Sequence, residues 1–312
     1  MKVIVISGPT ASGKTDLAIE LAKEFHGEVV NFDSLLLYKE LNIGTAKPTM
    51  IERSGVPHHM IDVASIASPL NASDYAREAL VLMKELFSRG IIPIVAGGSG
   101  FYLQALLKGM YDSPTTSAQI LERSNLLYEQ EGIAPFREIL HSHDPVSYQR
   151  YHENDHYRIR RAVEHFWNTG TPLSSVREKK DQENTELKAD NVHGWHVLHL
   201  YLNLPKPEHL QIIQQRTDRM LKAGLQAEVE DLLKSGFTGE EKPLQSIGYK
   251  EMLDLISGEF KNLEECRERI IISTRQLAKS QRTWFNRIAE KQIFHPLKDR
   301  VQIKTLVRDF LN

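Results

Sequence analysis

The amino-acid sequence predicts an α/β fold in which a parallel sheet flanked by helices is interrupted by a helical insertion domain. Three observations carry that expectation. Val/Ile-rich runs alternate with helix-period segments over residues 1–109, a glycine-bearing loop joins the first such run to the first helix, and strand-like runs stop after Gly109 and resume only near Trp195. Strand–helix alternation gives parallel strands, because parallel neighbours need a crossover connection, usually a helix. The 312-residue length exceeds the ~100–200 residues of an ordinary domain. Two units are therefore expected, a core of residues 1–109 with 193–312 and an insertion of residues 110–192.

In chain order, Lys2–Ser7 is a short Val/Ile run of the kind buried on both faces in a parallel sheet. Thr15–Phe25 brings Leu17, Ala18, Leu21, Ala22 and Phe25 onto one helical face, with Gly27 as the expected stop. Glu28–Phe32 reads as a second strand ending at Asp33. Ser73–Arg89 has helical spacing, with Ser73 as its expected N-cap and Gly90 as its terminator. Ile91–Ala96 is a third strand and runs into Gly97-Gly98-Ser99-Gly100. Beyond Gly109 the insertion carries helical stretches and many polar residues, and Asp181–Asn191 is expected to be an exposed loop. Trp195–Leu202 resumes the sheet. From Pro207 the pattern is helical, over Glu208–Lys222, Gln226–Ser235, Tyr249–Ser257 and Leu263–Arg287.

Composition narrows the class. Hydrophobic residues make up 41% and charged residues 26%, which excludes a disordered or membrane-spanning chain. The run Val3–Ile6 is too short for a signal-peptide core, and no apolar run approaches the ~18 residues of a span. The lone Cys266 excludes an intramolecular disulfide framework and a Cys-rich zinc site. A cytoplasmic, monomeric protein with no membrane partner is expected. With 39 Lys+Arg against 41 Asp+Glu, a uniformly cationic surface is excluded, though a local basic patch is not.

Gly8-Pro9-Thr10-Ala11-Ser12-Gly13-Lys14-Thr15 fits G-x-x-x-x-G-K-[ST] between a strand and a helix, so the core is expected to be P-loop NTPase-like. Glycines let the backbone wrap an anion, and the helix start adds positive potential. Lys14 would hold a terminal phosphate and the Thr15 hydroxyl would ligate Mg2+. The motif specifies a diphosphate or polyphosphate and does not by itself specify a nucleotide. Asp33, at the carboxyl end of the second strand, is placed to hold magnesium or to accept a proton, or else serves as a loop cap. Gly97–Gly100 presents the Ser99 hydroxyl to the same cleft, or is a tight left-handed turn that needs glycine. His58-His59 lacks companion ligands, and a structural role is expected. Arg216 and Arg219 can close over a diphosphate or make surface ion pairs.

Two basic stretches break the neutral average. Arg158, Arg160 and Arg161 cluster on one expected helix. Arg275, Lys279 and Arg282, spaced i, i+4, i+7, share a helical face that can follow a phosphate backbone or simply be solvated. Trp284 and Phe285 beside them can stack on bases or lie in the core.

The sequence resembles the tRNA dimethylallyltransferases over nearly its whole length. The matching segments are GPTASGKT (Gly8–Thr15), DSLLLYKELNIGTAKP (Asp33–Pro48), VPHHMIDV (Val56–Val63) and GGSGFYL (Gly97–Leu103), followed by NDHYRIRRAVE (Asn154–Glu164), QSIGYKEM (Gln245–Met252) and TRQLAKSQRTWF (Thr274–Phe285). The resemblance implies transfer of a dimethylallyl group from dimethylallyl diphosphate to N6 of the adenosine 3′ of the tRNA anticodon, with the phosphate loop holding the prenyl diphosphate. It implies that Asp33 is the general base and that Ser99 stands where the family usually has Thr, which keeps the hydroxyl. It implies tRNA contacts from Asp33, Ser34, Leu35 and Leu36, from Tyr157, Arg158, Arg160 and Arg161, and from Gln245, Gly248 and Lys250. The basic face adds Arg275, Gln276, Lys279 and Arg282 to these. An Arg common early in the family's insertion is Leu121 here. The rival readings are a small-molecule kinase and a prenyltransferase of free adenine nucleotides. The insertion and basic helices favour tRNA, since a small acceptor needs neither.

Overall fold

The computed structural model describes residues 1–110, 114, 116–186 and 193–312. The chain divides into two compact units, Met1–Leu107 with His193–Asn312, and Lys108–Val192. In the first unit the leading elements are β1 (Lys2–Ser7), α1 (Lys14–Glu24), β2 (Gly27–Asn31), α2 (Met50–Arg53), β3 (His58–His59), α3 (Ala72–Ser88), β4 (Ile92–Gly97) and α4 (Gly100–Lys108). The second unit holds α5 (Ala118–Glu131), α6 (Ala134–His143), α7 (Pro145–Arg150), α8 (His156–Thr169) and α9 (Leu173–Glu186). The first unit then resumes with β5 (His196–Leu202), α10 (Lys206–Lys222), α11 (Leu225–Lys234), α12 (Tyr249–Ile256), α13 (Leu263–Phe285), β6 (Gln292–Phe294) and α14 (Arg300–Leu311).

The six strands form one parallel sheet in the order β3-β2-β4-β1-β5-β6. β1 lies between β4 and β5, with Ser7 in register with Gly97 on one side and Tyr201 on the other. The carboxyl ends of β1, β4 and β2 are therefore neighbours, and the loops that follow them open onto one crevice, where open α/β sheets bind ligands. The central strands are buried on both faces. One face packs Ile4, Ile6, Ile94 and Leu200 against Leu17, Leu21, Ile303 and Val307 of α1 and α14. Arg300, Lys304 and Arg308 pair with Glu20 and Glu24 along the rim of that contact.

Several expected boundaries move. α1 ends at Glu24 with Phe25 as its C-cap, and His26 takes the left-handed conformation (φ 51°), so Gly27 is not the helix stop. Gly27 opens β2 instead, where a Cβ would lie 2.8 Å from Ile92 O. α3 is capped by Asn71, whose side chain accepts from the amides of Ser73 and Asp74, and Ser73 is already helical. His58-His59 forms an edge strand on β2, and His59 bonds Glu28 at 2.6 Å while His58 bonds Val56 O at 2.9 Å. β6 and α14 have no counterpart among the sequence expectations. A three-residue strand is too short to show a period. Residues 181–186 of the expected loop belong to α9, and residues 187–191 lie outside the described residues. The second unit has its own core of Phe136, Leu140, Tyr151, Ile159, Ala162, Val163 and Leu173. Among the described residues, no helix is long and apolar enough to cross a membrane.

Candidate active site

The phosphate loop leaves β1 at Ser7 and enters α1 at Lys14. Its two glycines are required by backbone geometry. Gly8 has φ 154° and a Cβ there would lie 2.5 Å from Leu202 O, while Gly13 caps α1 in the left-handed region at φ 79°. Lys14 Nζ folds back onto its own loop, donating to Gly8 O (3.0 Å) and Pro9 O (2.8 Å). Thr15 is exposed at the second position of α1, and the Ser12 hydroxyl is buried inside the loop without a hydrogen-bond partner.

Asp33 follows β2. Asn31 pins its backbone, accepting from Asp33 N (2.8 Å) and donating to Asp33 O (3.0 Å), and Asp33 Oδ1 accepts from Leu35 N (3.1 Å). Ser99 lies across from it at the end of β4. The Ser99 hydroxyl accepts from Ser34 N (3.0 Å) and donates to Ser34 Oγ (3.1 Å). The glycines around Ser99 do not form a left-handed turn, since none of Gly97, Gly98 and Gly100 has positive φ. They are needed for close approach. A Cβ would lie 2.7 Å from Phe32 at Gly97, 2.6 Å from Gln281 Nε2 at Gly98, and 2.2 Å from the Trp284 ring at Gly100.

Arg216, on α10, donates to Thr45 O at 2.9 Å. Burial lowers the Lys14 pKa to about 8; the Asp33 charge opposes that shift and the Arg216 charge adds to it. Burial likewise lowers the pKa of Arg216, against the pull of Asp33 and with the push of Arg219. Lys14, Asp33 and Arg216 thus share one electrostatic site in which two cations face one carboxylate. The surplus positive charge suits an anion that brings more than one negative charge.

The C-terminal half grips the loop tip through Gln281 and His209, neither of which was among the candidate site residues. Gln281 Oε1 accepts from Thr10 N (2.7 Å) while its Nε2 donates to Gly98 O (3.1 Å). His209 Nε2 bonds Thr10 O (2.7 Å), and Arg282 reaches His209 Nδ1 (2.6 Å) and Asn203 Oδ1 (3.2 Å). An acceptor at Nδ1 makes Nε2 the protonated nitrogen of a neutral His209. His209 and Gln281 lie 199 and 271 positions from Thr10 in sequence. The only signal for Gln281 was its place inside the TRQLAKSQRTWF segment.

The family described as IPP transferase matches residues 36–288. This chain belongs to that family. A tRNA dimethylallyltransferase 2 from Geotalea daltonii is 39% identical over 292 residues, covering 92% of this chain and 85% of that protein. A tRNA dimethylallyltransferase 1 from Trichlorobacter lovleyi is 42% identical over 284 residues, covering 91% and 90%. Among solved structures, the tRNA isopentenylpyrophosphate transferase of Bacillus halodurans superposes with TM-score 0.71 at 29% identity, covering 99% of this chain and 96% of that one. A eukaryotic dimethylallyltransferase acting on tRNA superposes with TM-score 0.80 at 30% identity, covering 99% and 79%. These neighbours agree with the P-loop NTPase-like core. The family match begins at Leu36, so the phosphate loop and Asp33 fall outside it.

In this chain the basic residues divide by environment. Arg275, Gln276 and Lys279 are exposed on α13, whereas Arg282 turns inward to His209 and Asn203 and leaves the face that its spacing assigned to it. Phe285 is core, and Trp284 packs on Gly100. Gln245 and Lys250 are exposed, and Gly248 (φ 96°) donates its amide to Glu251 ahead of α12. In the insertion, Tyr157 is 62% exposed and Arg158 pairs with Asp155 at 2.9 Å. Arg160 is held by Ser124 and Asn125 over the Tyr128 ring, and Arg161 by Glu164 and Thr116.

Proposed function

We propose that this enzyme transfers a dimethylallyl group from dimethylallyl diphosphate to N6 of the adenosine 3′ of the anticodon in tRNA. The observation that carries the reading is the shared site of Lys14, Arg216 and Asp33, two cations and one carboxylate where the phosphate loop meets the end of β2. The adenine exocyclic amine is a weak nucleophile because its lone pair is delocalised into the ring. Asp33 takes the N6 proton as the N6–C1 bond forms and the C1–O bond to diphosphate breaks. Lys14 and Arg216 stabilise the charge that collects on the departing diphosphate. Ser99 acts with Ser34 beside Asp33 to orient the acceptor.

The residues at the head of α1 fit a magnesium ion. Thr15 offers an exposed hydroxyl oxygen beside the phosphate loop. A hard, partly hydrated ion of this kind is held by few protein oxygens and completed by substrate phosphates. When bound, the ion supplies further neutralisation of diphosphate charge. Thr15 would hold it, and Gly8–Thr15 would cradle the diphosphate.

Residues 1–109 with 193–312 form the core domain in this reading, and residues 110–192 an insertion that helps to bind tRNA. The tRNA contacts are assigned to Ser34, Leu35 and Leu36, to Gln245, Gly248 and Lys250, to Arg275, Gln276 and Lys279, and to Tyr157, Arg158, Arg160 and Arg161. An adenosine stacked in the anticodon loop must be extruded to reach Asp33. The enzyme acts as a cytoplasmic monomer. The test mixes protein, magnesium and labelled dimethylallyl diphosphate with unmodified tRNA, with AMP, or with no acceptor. Label is expected only in tRNA; label only in AMP, or phosphate transfer from ATP, overturns the proposal.

A further inference from the structure

Glu228, on α11, belongs to none of the motifs above, yet its carboxylate collects the amides of a whole turn. It accepts from Ile43 N at 2.8 and 3.1 Å, from Gly44 N at 3.2 Å and from Asn42 N at 3.4 Å. It also accepts from the Tyr249 hydroxyl at 2.5 Å. Tyr249 is fully buried, and its ring lies against the turn so closely that a Cβ at Gly44 would come within 2.4 Å of Tyr249 Cε2. Burial and the Glu228 charge keep the phenol protonated, so it remains a donor. The next residue in the turn is Thr45, whose carbonyl holds the Arg216 guanidinium at 2.9 Å. The Thr45 hydroxyl ties back to Leu41 O and Asn42 O, so the turn moves as one piece.

We propose that Glu228 and Tyr249 are positioning residues for Arg216, fixing the Asn42–Thr45 turn so that the Thr45 carbonyl aims the guanidinium at the diphosphate. This rests on the prenyl diphosphate reading above. The physical need is specific to the site. Arg216 has a long, flexible side chain and shares its surroundings with the Lys14 charge, which repels it. A carbonyl dipole held in place by a carboxylate and a buried ring offsets that repulsion, and the guanidinium stays pre-organised for the anion. A glutamine at position 228 would point an N–H2 at backbone N–H groups, and the turn would shift.

The probe is inorganic pyrophosphate with magnesium, titrated by calorimetry into wild type, Tyr249→Phe, Glu228→Gln, Arg216→Ala and the Glu228→Gln/Arg216→Ala double variant. Thermal melts check folding. Tyr249→Phe keeps the ring and volume, so it decides the question if Glu228→Gln fails to fold. Each of the two positioning variants is expected to weaken pyrophosphate binding about 5- to 30-fold, on the order of one or two ordinary hydrogen bonds. The double variant is expected within about twofold of Arg216→Ala, because the effect passes through Arg216. Additive losses in folded proteins, or wild-type affinity in both folded single variants, overturn the positioning role. A wild-type protein that binds pyrophosphate but fails to prenylate tRNA overturns the functional reading instead.

Discussion

Asp33 is held mainly by its backbone, and its carboxylate adds one bond, from Leu35 N to Oδ1. Asn31 secures both its amide and its carbonyl, which leaves Oδ2 without a role in the loop. Asp33→Ala should therefore leave the fold intact, slow single-turnover transfer by about 10²- to 10⁴-fold, the usual weight of a general base, and keep tRNA affinity within a few-fold in filter binding. Substantial turnover in that variant would remove Asp33 as the base. Lys14 gives a pH signature. Its pKa in the free protein, lowered by burial to about 8, lies below the ordinary lysine value of 10.5. The folded state thus disfavours the proton, so this residue destabilises the free enzyme below pH 8 and the penalty fades as pH rises from about 8 to 10.5. A bound diphosphate reverses the preference and raises the pKa. Pyrophosphate binding at pH 8.5 to 9 should take up a proton, read as a difference in calorimetric enthalpy between buffers of unlike ionisation heat, and affinity should fall as pH rises through 8. The phosphate-loop motif made Lys14 and Thr15 visible from sequence, and the end of the second strand made Asp33 visible. Gln281, His209 and Glu228 were not, because each acts on backbone atoms 183 to 271 positions away, and nothing local marks such a partner.

At the scale of elements, α13 performs two tasks on different faces. Arg275, Gln276 and Lys279 point to solvent, while Gln281 and Arg282 reach the phosphate loop through Thr10, His209 and Asn203. Arg275→Ala and Lys279→Ala should each weaken tRNA binding and lower the slope of log affinity against log salt by about one, without altering pyrophosphate binding. Arg282→Ala should weaken pyrophosphate binding and leave the tRNA salt slope unchanged. A salt titration of tRNA binding alongside pyrophosphate calorimetry separates the two faces, and a lowered slope for Arg282→Ala would contradict this division. Periodicity placed all three cations on one helical face. It could not register that a helix packed between α10 and α12 turns one end of that face inward. The same limit explains Gly27 and Gly97. Both were read as local punctuation, yet both are demanded by a neighbouring stretch of chain, which Gly27 meets at Ile92 in β4 and Gly97 at Phe32 just after β2.

Each of the two units carries its own hydrophobic core, and the residues proposed to hold the diphosphate, Gly8–Thr15 and Arg216, all belong to the first. Phe136→Ala, in the core of the second unit, should cost about 3–5 kcal/mol of that unit's stability while leaving pyrophosphate affinity within twofold. A lowered thermal midpoint with unchanged calorimetry is the expected pair of results, and loss of pyrophosphate binding would show that the units are energetically coupled. The sequence alone determined the parallel α/β core, the phosphate loop and the strand-end aspartate. Those features rest on short-range rules, since hydrophobic period sets the element, and strand–loop–helix order carries a glycine loop to the anion side of the sheet. Tertiary structure decided what surrounds them. It added β6 and α14 at one end of the chain's course, brought Arg216 to Lys14 and Asp33, and set Glu228 and Tyr249 beneath the turn that holds Arg216. Those pairings are contacts across long loops whose closure is favourable only when the whole core is in place.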